Sequence, residues 1–206
     1  MTPRDEVLRR IALARGEAVT LPLQRSYRCA GADRMDPVAL LDLLQDRLAD
    51  YGAGVTQCAR HEVAGAVGRA LARQMAERVL VPFGFPEQWV PPDLPIERDL
   101  PQMSPSRLDG VQAVLTTCAV AIAETGTVVL DGGAGMGRRV LSLVPDVHVI
   151  VVKASAVVRG VPEALAGLDP VRPLTWISGP SATSDIELSR VEGVHGPRRL
   201  EVVVVA

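Results

Sequence analysis

The sequence predicts an α/β fold in which an open, mixed, mostly parallel β-sheet is flanked by helices. A β-rich run, a helical run and a second β-rich run follow one another between residues 54 and 82, which is the order of a β-α-β unit. Five further β-rich runs follow, with helical segments between some of them. Units of this kind build parallel sheets, and 206 residues that are 48% hydrophobic supply enough apolar material for one main core.

Two helices are predicted before the first strand. Thr2 can cap a helix that begins at Pro3, and Asp36 can cap a second helix whose leucines recur at helical spacing. The first helix lies within a polar stretch, so we expect it to be peripheral. We therefore predict an N-terminal helical extension over residues 1–35 and an α/β domain over residues 36–206.

The remaining elements follow in chain order. "GVTQCA", "HEVAGAVGRALARQMAE" and "RVLVP" predict a strand, a helix and a strand. The segment from Pro82 to Pro105 is rich in proline and is predicted to be a long loop, either a lid or partner-binding surface or a strap over a sheet edge. The later strands are predicted at "VQAVLTTC", "GTVVLD", "VHVIVV", "LTWIS" and "LEVVVV", with helical pieces at "GRRVLSLV" and "PEALAGL".

Composition and charge exclude several classes of protein. The formal net charge is −2 and charges of both signs are mixed along the chain, so no basic stripe indicates nucleic-acid binding. Asp5 and Glu6 interrupt the stretch where a signal peptide needs an apolar run, and no run is long enough for a membrane span. We expect a cytoplasmic protein. Its three cysteines are far apart, so we expect this chain to bind no metal and no iron-sulfur cluster.

A glycine-rich turn between a predicted strand and a helical piece is a candidate ligand-binding loop. Gly132, Gly133 and Gly135 lie in "LDGGAGMGRR", where backbone N–H groups can hold a phosphate or a carboxylate. Arg138 is a further candidate partner for an anion. The turn matches neither the dinucleotide fingerprint nor the Walker A motif, which disfavours NAD and ATP. Alternatively, the glycines only permit a tight turn with positive φ.

A second candidate loop follows the strand "LTWIS". Ser184 begins an S-x-x-E capping box and Asp185 suits the first turn of a helix, so capping explains part of the segment. Gly179, Ser181 and Thr183 come before that cap, at the carboxyl end of a strand, where α/β sheets bind ligands. We predict that these residues, together with Ser184 and Asp185, bind a small anion.

Two residues are candidates for acid-base or nucleophilic chemistry. Glu124 lies in "AETGT" at a bend beside a buried strand, where a carboxylate can have a raised pKa, or can simply accept hydrogen bonds from the turn. The adjoining Thr125, Gly126 and Thr127 are predicted ligand contacts. His195 in "GVHGP" is either an acid-base group or a structural turn residue.

Four segments of the chain carry a family resemblance. "AETGTVVL", "LVPDVHVIVV", "ISGPSATSDIE" and "GVHGPRRLEVVVV" resemble the LUD domain family, from about Asp109 to the C-terminus. The helical N-terminus resembles the lactate utilization protein C branch of that family. The resemblance implies the fold of the glucosamine-6-phosphate isomerase, ribose-5-phosphate isomerase and CoA-transferase group. It also implies a role in oxidising L-lactate to pyruvate alongside two iron-sulfur proteins.

The sequence is compatible with two hypotheses of different classes. The first is a non-redox subunit of a lactate-oxidising assembly that binds a small carboxylate, a phosphate or a partner, because the cysteines cannot hold a cluster. The second is a stand-alone enzyme acting on a CoA thioester or a phosphosugar. Glu124 is placed to imitate the glutamate that attacks the thioester in the related CoA transferases, whereas the single lysine, Lys153, disfavours an isomerase.

Overall fold

The computed structural model describes residues 2–15, 22, 24–31, 35–100, 102–108, 110–183, 191–192 and 196–206. The helices are α1 (Pro3–Arg15), α2 (Pro37–Asp50), α3 (Val63–Arg73), α4 (Pro105–Leu108) and α5 (Val161–Gly167). The strands are β1 (Gly54–Cys58), β2 (Val79–Val81), β3 (Ile96–Arg98), β4 (Ala113–Thr117), β5 (Val120–Ile122), β6 (Thr127–Leu130), β7 (Val147–Lys153), β8 (Val157–Val158), β9 (Thr175–Ile177), β10 (Ala182–Thr183), β11 (Val191–Glu192) and β12 (Arg199–Val205). The predicted α/β class is confirmed.

The main sheet has six strands in the order β1-β12-β7-β4-β2-β3, and every neighbouring pair is parallel. Its central strands, β7 and β12, are buried and rich in valine, as expected for strands covered on both faces. Side chains of α3 pack against one face, and the leucines of α2 pack against the other. Two apolar layers therefore hold the sheet between them.

A second sheet makes the architecture mixed. Its order is β8-β5-β6-β9, and β6 is antiparallel to both of its neighbours. Apolar residues of this sheet share a core with α2 and with β7 and β12. A separate antiparallel pair is formed by β10 and β11. The second sheet thus packs on the α2 side of the main sheet.

The helix starts follow the sequence prediction. Thr2 and Asp5 bond to each other's backbone N–H groups, and the Asp36 carboxylate accepts hydrogen bonds from the first turn of α2. No residue of α1 is buried, which agrees with a peripheral helix. Within the described part of the chain, none of the helices combines the length and the apolar character needed to cross a membrane.

The proline-rich segment differs from the long irregular loop that was predicted. It contains β3, which pairs with β2 at the edge of the main sheet, and a 3-10 turn at Glu87–Trp89. Prolines are tolerated beside an edge strand because they interrupt few ladder hydrogen bonds. The helical piece predicted at "GRRVLSLV" is also shorter than expected, since only a 3-10 turn forms at Arg139–Ser142.

Candidate functional site

The glycine-rich turn lies at the carboxyl edge of the main sheet. The Gly135 N–H donates to the Phe83 carbonyl just after β2, at 2.8 Å, and the Gly135 carbonyl accepts from the N–H of Thr117, the last residue of β4, also at 2.8 Å. These two bonds fix the turn across the ends of neighbouring parallel strands. Open α/β sheets bind ligands at this edge.

The shape of the turn explains its glycines. Gly132 and Gly135 have φ values of +70° and +76°, which side-chain-bearing residues rarely adopt. The Gly133 N–H donates to the Asp131 carboxylate, and the Gly135 N–H is used by Phe83, as described above. These amides are engaged inside the protein. The turn therefore offers a wall to a ligand, and the expected cradle of free glycine amides does not form at these two positions.

A cavity of about 900 Å³ lies beside this turn. It adjoins a second cavity of about 320 Å³, because Arg139, Ser142 and Thr175 line both. The second cavity is bordered by Gly179 and Ser181. The two loops singled out from the sequence thus border one continuous cleft, although ligand binding at either loop stays a prediction.

Two of the three described arginines that line the cleft form ion pairs with aspartates. Arg138 bonds Asp99 through two nitrogens, at 2.5 and 3.1 Å, and this partner raises the pKa of its guanidinium. Arg172 bonds Asp131 at 2.7 Å. Arg139 is exposed and has no ion pair among the described residues. Of the three described arginines that line the cleft, it is consequently the one available to an anion.

His148 is a buried polar residue beneath the second cavity that was not among the predicted site residues. Its Nε2 hydrogen-bonds the Thr116 hydroxyl at 2.8 Å, and its Nδ1 has no partner within the described part of the chain. Complete burial lowers the pKa of His148 to about 3, so the ring is neutral near pH 7. A histidine inside the apolar run "VHVIVV" was the available signal.

Glu124 occupies a different place from the cleft. It lies at the β5–β6 connection, whereas the glycine-rich turn follows the other end of β6. Arg28 bonds its carboxylate at 2.6 Å and Arg159 does so at 2.9 Å. The Arg28 hydrogen bond is the main reason why the pKa of Glu124 is lowered. The first of the two alternatives, a raised pKa, is therefore wrong, and Glu124 does not line either cavity of the cleft.

The neighbours of Glu124 connect elements instead of facing the cleft. The Thr127 hydroxyl bonds those of Thr125 and Ser178, at 2.7 and 2.8 Å. Gly126 has a φ of +56°, and a side chain there would collide with the backbone of Arg47 in α2. These residues hold the hairpin end against β9 and α2. Their predicted role as ligand contacts has no support from this geometry.

Several predicted site residues fall partly or wholly outside the described residues. Ser184, Asp185 and His195 are among them, as is the helix predicted to begin near Ser184. The backbone of Thr183 lies in β10 and pairs with β11. The Ser181 N–H donates to the Pro197 carbonyl at 2.8 Å. This hydrogen bond connects the second loop to the residues just before β12.

Of the three cysteines, Cys29 is exposed, Cys58 is buried and Cys118 is half-buried. Across the residues whose placement is described, no group of three or more histidine, cysteine, aspartate or glutamate side chains is arranged to hold a metal ion.

The fold and the cleft define an α/β protein with an open cleft beside a parallel sheet, and comparison with known proteins gives the family. The LUD domain profile matches residues 106–205. A lactate utilization protein C from Deinococcus radiodurans is 51% identical over 170 residues, which cover 81% of this chain and 79% of that protein. One from a Geobacillus species is 35% identical over 99 residues, covering 44% of this chain and 41% of that protein.

A solved structure supports the same assignment. The crystal structure of a DUF162 family protein from Deinococcus radiodurans has a TM-score of 0.72 and 43% sequence identity, and covers 84% of this chain and 100% of its own. The chain belongs to the LUD domain family, in the branch of lactate utilization protein C.

Proposed function

We propose that this chain is a non-redox component of a cytoplasmic lactate utilization system that converts L-lactate to pyruvate with two iron-sulfur partner proteins. The observation that carries the proposal is the cleft that extends from the glycine-rich turn to the Gly179–Ser181 loop, which is lined by Arg139, a residue with no ion pair among the described residues. The names of the relatives supply the metabolic context. In this proposal the partners hold the clusters and carry the electrons.

Arg139 is suited to hold a small carboxylate or phosphate. A guanidinium presents N–H donors in a planar fork that matches either anion. Thr175 lines both cavities of the cleft and adds a hydroxyl group, whereas the Ser142 hydroxyl donates to the Arg139 carbonyl. The wall formed by the glycine-rich turn limits how a bound anion can be oriented. The chain thereby supplies binding and positioning, while oxidation occurs elsewhere in the assembly.

The alternative of a stand-alone enzyme that uses Glu124 has less support. A nucleophilic carboxylate must reach the substrate, but Glu124 is bonded to two arginines and lies outside the cleft. The ion pairs of the Glu124 carboxylate with Arg28 and Arg159 are better explained as a structural contact. Through it, the segment that carries Arg28 is held to the α/β domain.

The proposal is tested by recovering partners from cells. A tagged copy of the chain is purified from lactate-grown and glucose-grown cells, and co-purifying proteins are identified by mass spectrometry. We expect two iron-sulfur proteins to be enriched from lactate-grown cells, and deletion of the gene to abolish growth on L-lactate only. An unrelated tagged protein is the control. Normal growth of the deletion strain on lactate, without such partners, contradicts the proposal.

A further inference from the structure

The larger cavity of the cleft is much bigger than a small carboxylate requires. Its volume of about 900 Å³ lies within the range of pockets that enclose drug-sized molecules. A three-carbon acid would fill only a small part of it. The walls are mostly apolar, and the side chains responsible are Phe83, Leu100, Leu130, Met136 and Pro173. A ligand that fills the cavity therefore needs an apolar body.

Phe83 is the most unusual of these side chains because 88% of its surface is exposed. Its backbone is nevertheless held in place, since its carbonyl accepts the Gly135 N–H and Phe85 N–H bonds the Pro82 carbonyl. The adjacent Gly84 has a φ of +82° and lies so close to Ala134 that a side chain would collide with it. The aromatic ring is thus presented from a firmly anchored turn.

Such an anchored ring is a suitable surface for a flat ligand. Aromatic rings attract one another in offset or edge-on arrangements beyond the effect of buried area alone. The neighbouring aromatic residues have a different role, since Phe85 and Trp89 are each 2% exposed and pack in the core. The Phe83 ring, unlike those of Phe85 and Trp89, is not packed in the core. Core packing therefore does not explain why an aromatic side chain lies at this position.

The charge of the cavity indicates an anionic ligand. Three arginines line it, and two of them are neutralised by Asp99 and Asp131. The third, Arg139, has no carboxylate partner in the described part of the chain. One positive charge therefore remains in a cavity that is otherwise largely apolar.

We propose that the cleft binds a planar aromatic anion, with the flat ring against Phe83 and the anionic group at Arg139. This inference deepens the proposed function, because it names the class of ligand for the same cleft. It concerns ligand binding by the chain alone, so its failure would leave the partner-recovery experiment unaffected. A macromolecular partner covering Phe83 is the competing explanation.

The test uses calorimetric titration of the purified chain. Two planar anions, adenosine monophosphate and 2-naphthoate, are compared with three partial probes: adenosine, inorganic phosphate and L-lactate. We expect at least one planar anion to bind, and each partial probe that lacks the ring or the charge to bind about tenfold more weakly or not at all, since hydrogen bonds to charged groups and ring contacts each contribute that much.

Three variants connect the binding to the named residues. Arg139→Met removes the charge, Phe83→Leu keeps an apolar side chain without a flat ring, and Arg69→Met removes an exposed charge on α3, away from the cleft. We expect the first two to lose about tenfold or more in affinity and the third to match the wild type. Melting curves establish that each variant is folded.

Three results would overturn the proposal. In the first, neither planar anion binds, which favours a macromolecular partner at Phe83. In the second, binding is equal in all three variants, which places the ligand elsewhere. In the third, phosphate or lactate binds as tightly as the planar anions, which leaves the apolar wall without a role.

Discussion

For individual polar side chains, the motif in the sequence did not indicate which residue lies at the cleft. Glu124 lies in a motif that points to catalysis, yet two arginines hold it as an ion pair. His148 is buried in a strand, yet it lines the cleft, and one of its ring nitrogens has no partner among the described residues. The sequence shows residue type and spacing, whereas these roles depend on partners far away in the chain.

The burial of His148 predicts a specific dependence of stability on pH. Its pKa is about 3 in the folded protein and 6.5 when solvated, so below pH 6.5 the unfolded chain binds a proton that the folded chain does not. This contribution to stability is complete above pH 6.5 and declines as the pH falls, by up to ~1.4 kcal/mol per pH unit.

The measurement is the free energy of unfolding in urea between about pH 5 and pH 7, for the wild type and for His148→Gln. Glutamine does not titrate, so we expect the wild type to lose about 2 kcal/mol more than the variant over this interval. The comparison uses slopes, so a uniform loss of stability in the variant does not affect it. Equal slopes would show that His148 is accessible to protons in the folded state.

The ion pairs of Glu124 lead to a second prediction at this scale. Glu124→Gln keeps the shape but removes the charge opposite Arg28 and Arg159, so we expect a loss of about 0.2–1 kcal/mol in unfolding free energy at neutral pH. Because the pKa of Glu124 is lowered on folding, this stability is present above its ordinary value of 4.5 and is lost as the pH falls below it.

The same substitution should release the segment around Arg28. Limited proteolysis should cut residues 24–31 faster in Glu124→Gln than in Asp42→Asn, which removes an exposed carboxylate on α2. Comparable cutting in the two variants would mean that the ion pair does not hold this segment in place. A large fall in stability at neutral pH would instead indicate a role in the core.

Among the elements, the long strands and capped helices were predictable, whereas some of the short strands were not. The valine-rich runs at β7 and β12 and the Asp36 cap of α2 are local signals, and each is confirmed. β3 and β8, which were not predicted, have only three and two residues. Strands that short depend on their neighbours in the sheet, so local sequence carries little information about them.

The proline-rich segment gives a prediction about an element. Trp89 is 2% exposed, packs edge-on against Phe85 with ring centroids 6.1 Å apart and lies 5.6 Å from the Lys153 ammonium. We expect Trp89→Ala to lower the unfolding free energy by about 3–5 kcal/mol, because a large buried ring leaves a cavity. Phe83→Ala, in the same segment, removes an exposed ring and should cost less than about 0.5 kcal/mol.

Both values come from urea denaturation followed by circular dichroism. A small effect of Trp89→Ala would mean that the segment is a loosely attached lid. A large effect identifies it as part of the core, with β3 as the edge strand of the main sheet.

At the scale of the whole molecule, the cleft could be predicted in outline but its members could not. The glycine-rich turn and the Gly179–Ser181 loop were both predicted to follow strands, and both border the cleft, but the turn is bonded to the carboxyl end of β4 whereas Ser181 is bonded to Pro197, just before β12. Glu124 was also a predicted site residue, but it lies at the other end of β6 from the glycine-rich turn and lines neither cavity. Sequence order does not show which end of a hairpin faces a cleft.

The division of labour in the proposed assembly gives a prediction about the whole chain. Oxidation of a hydroxy acid removes two electrons, which in proteins are accepted by a flavin, a nicotinamide or a metal centre. The three cysteines differ in exposure and form no metal-binding group within the described residues, and no dinucleotide or Walker A fingerprint occurs in the sequence. We therefore expect the purified chain to be colourless and not to reduce an electron-accepting dye when L-lactate is added.

The measurements are absorption spectra, metal analysis and dye reduction. They are made for the chain alone and after addition of the iron-sulfur proteins recovered with it. Turnover that requires those proteins is the expected result, whereas rapid dye reduction by metal-free, flavin-free chain would mean that the redox step occurs within this molecule and that a non-redox role is wrong.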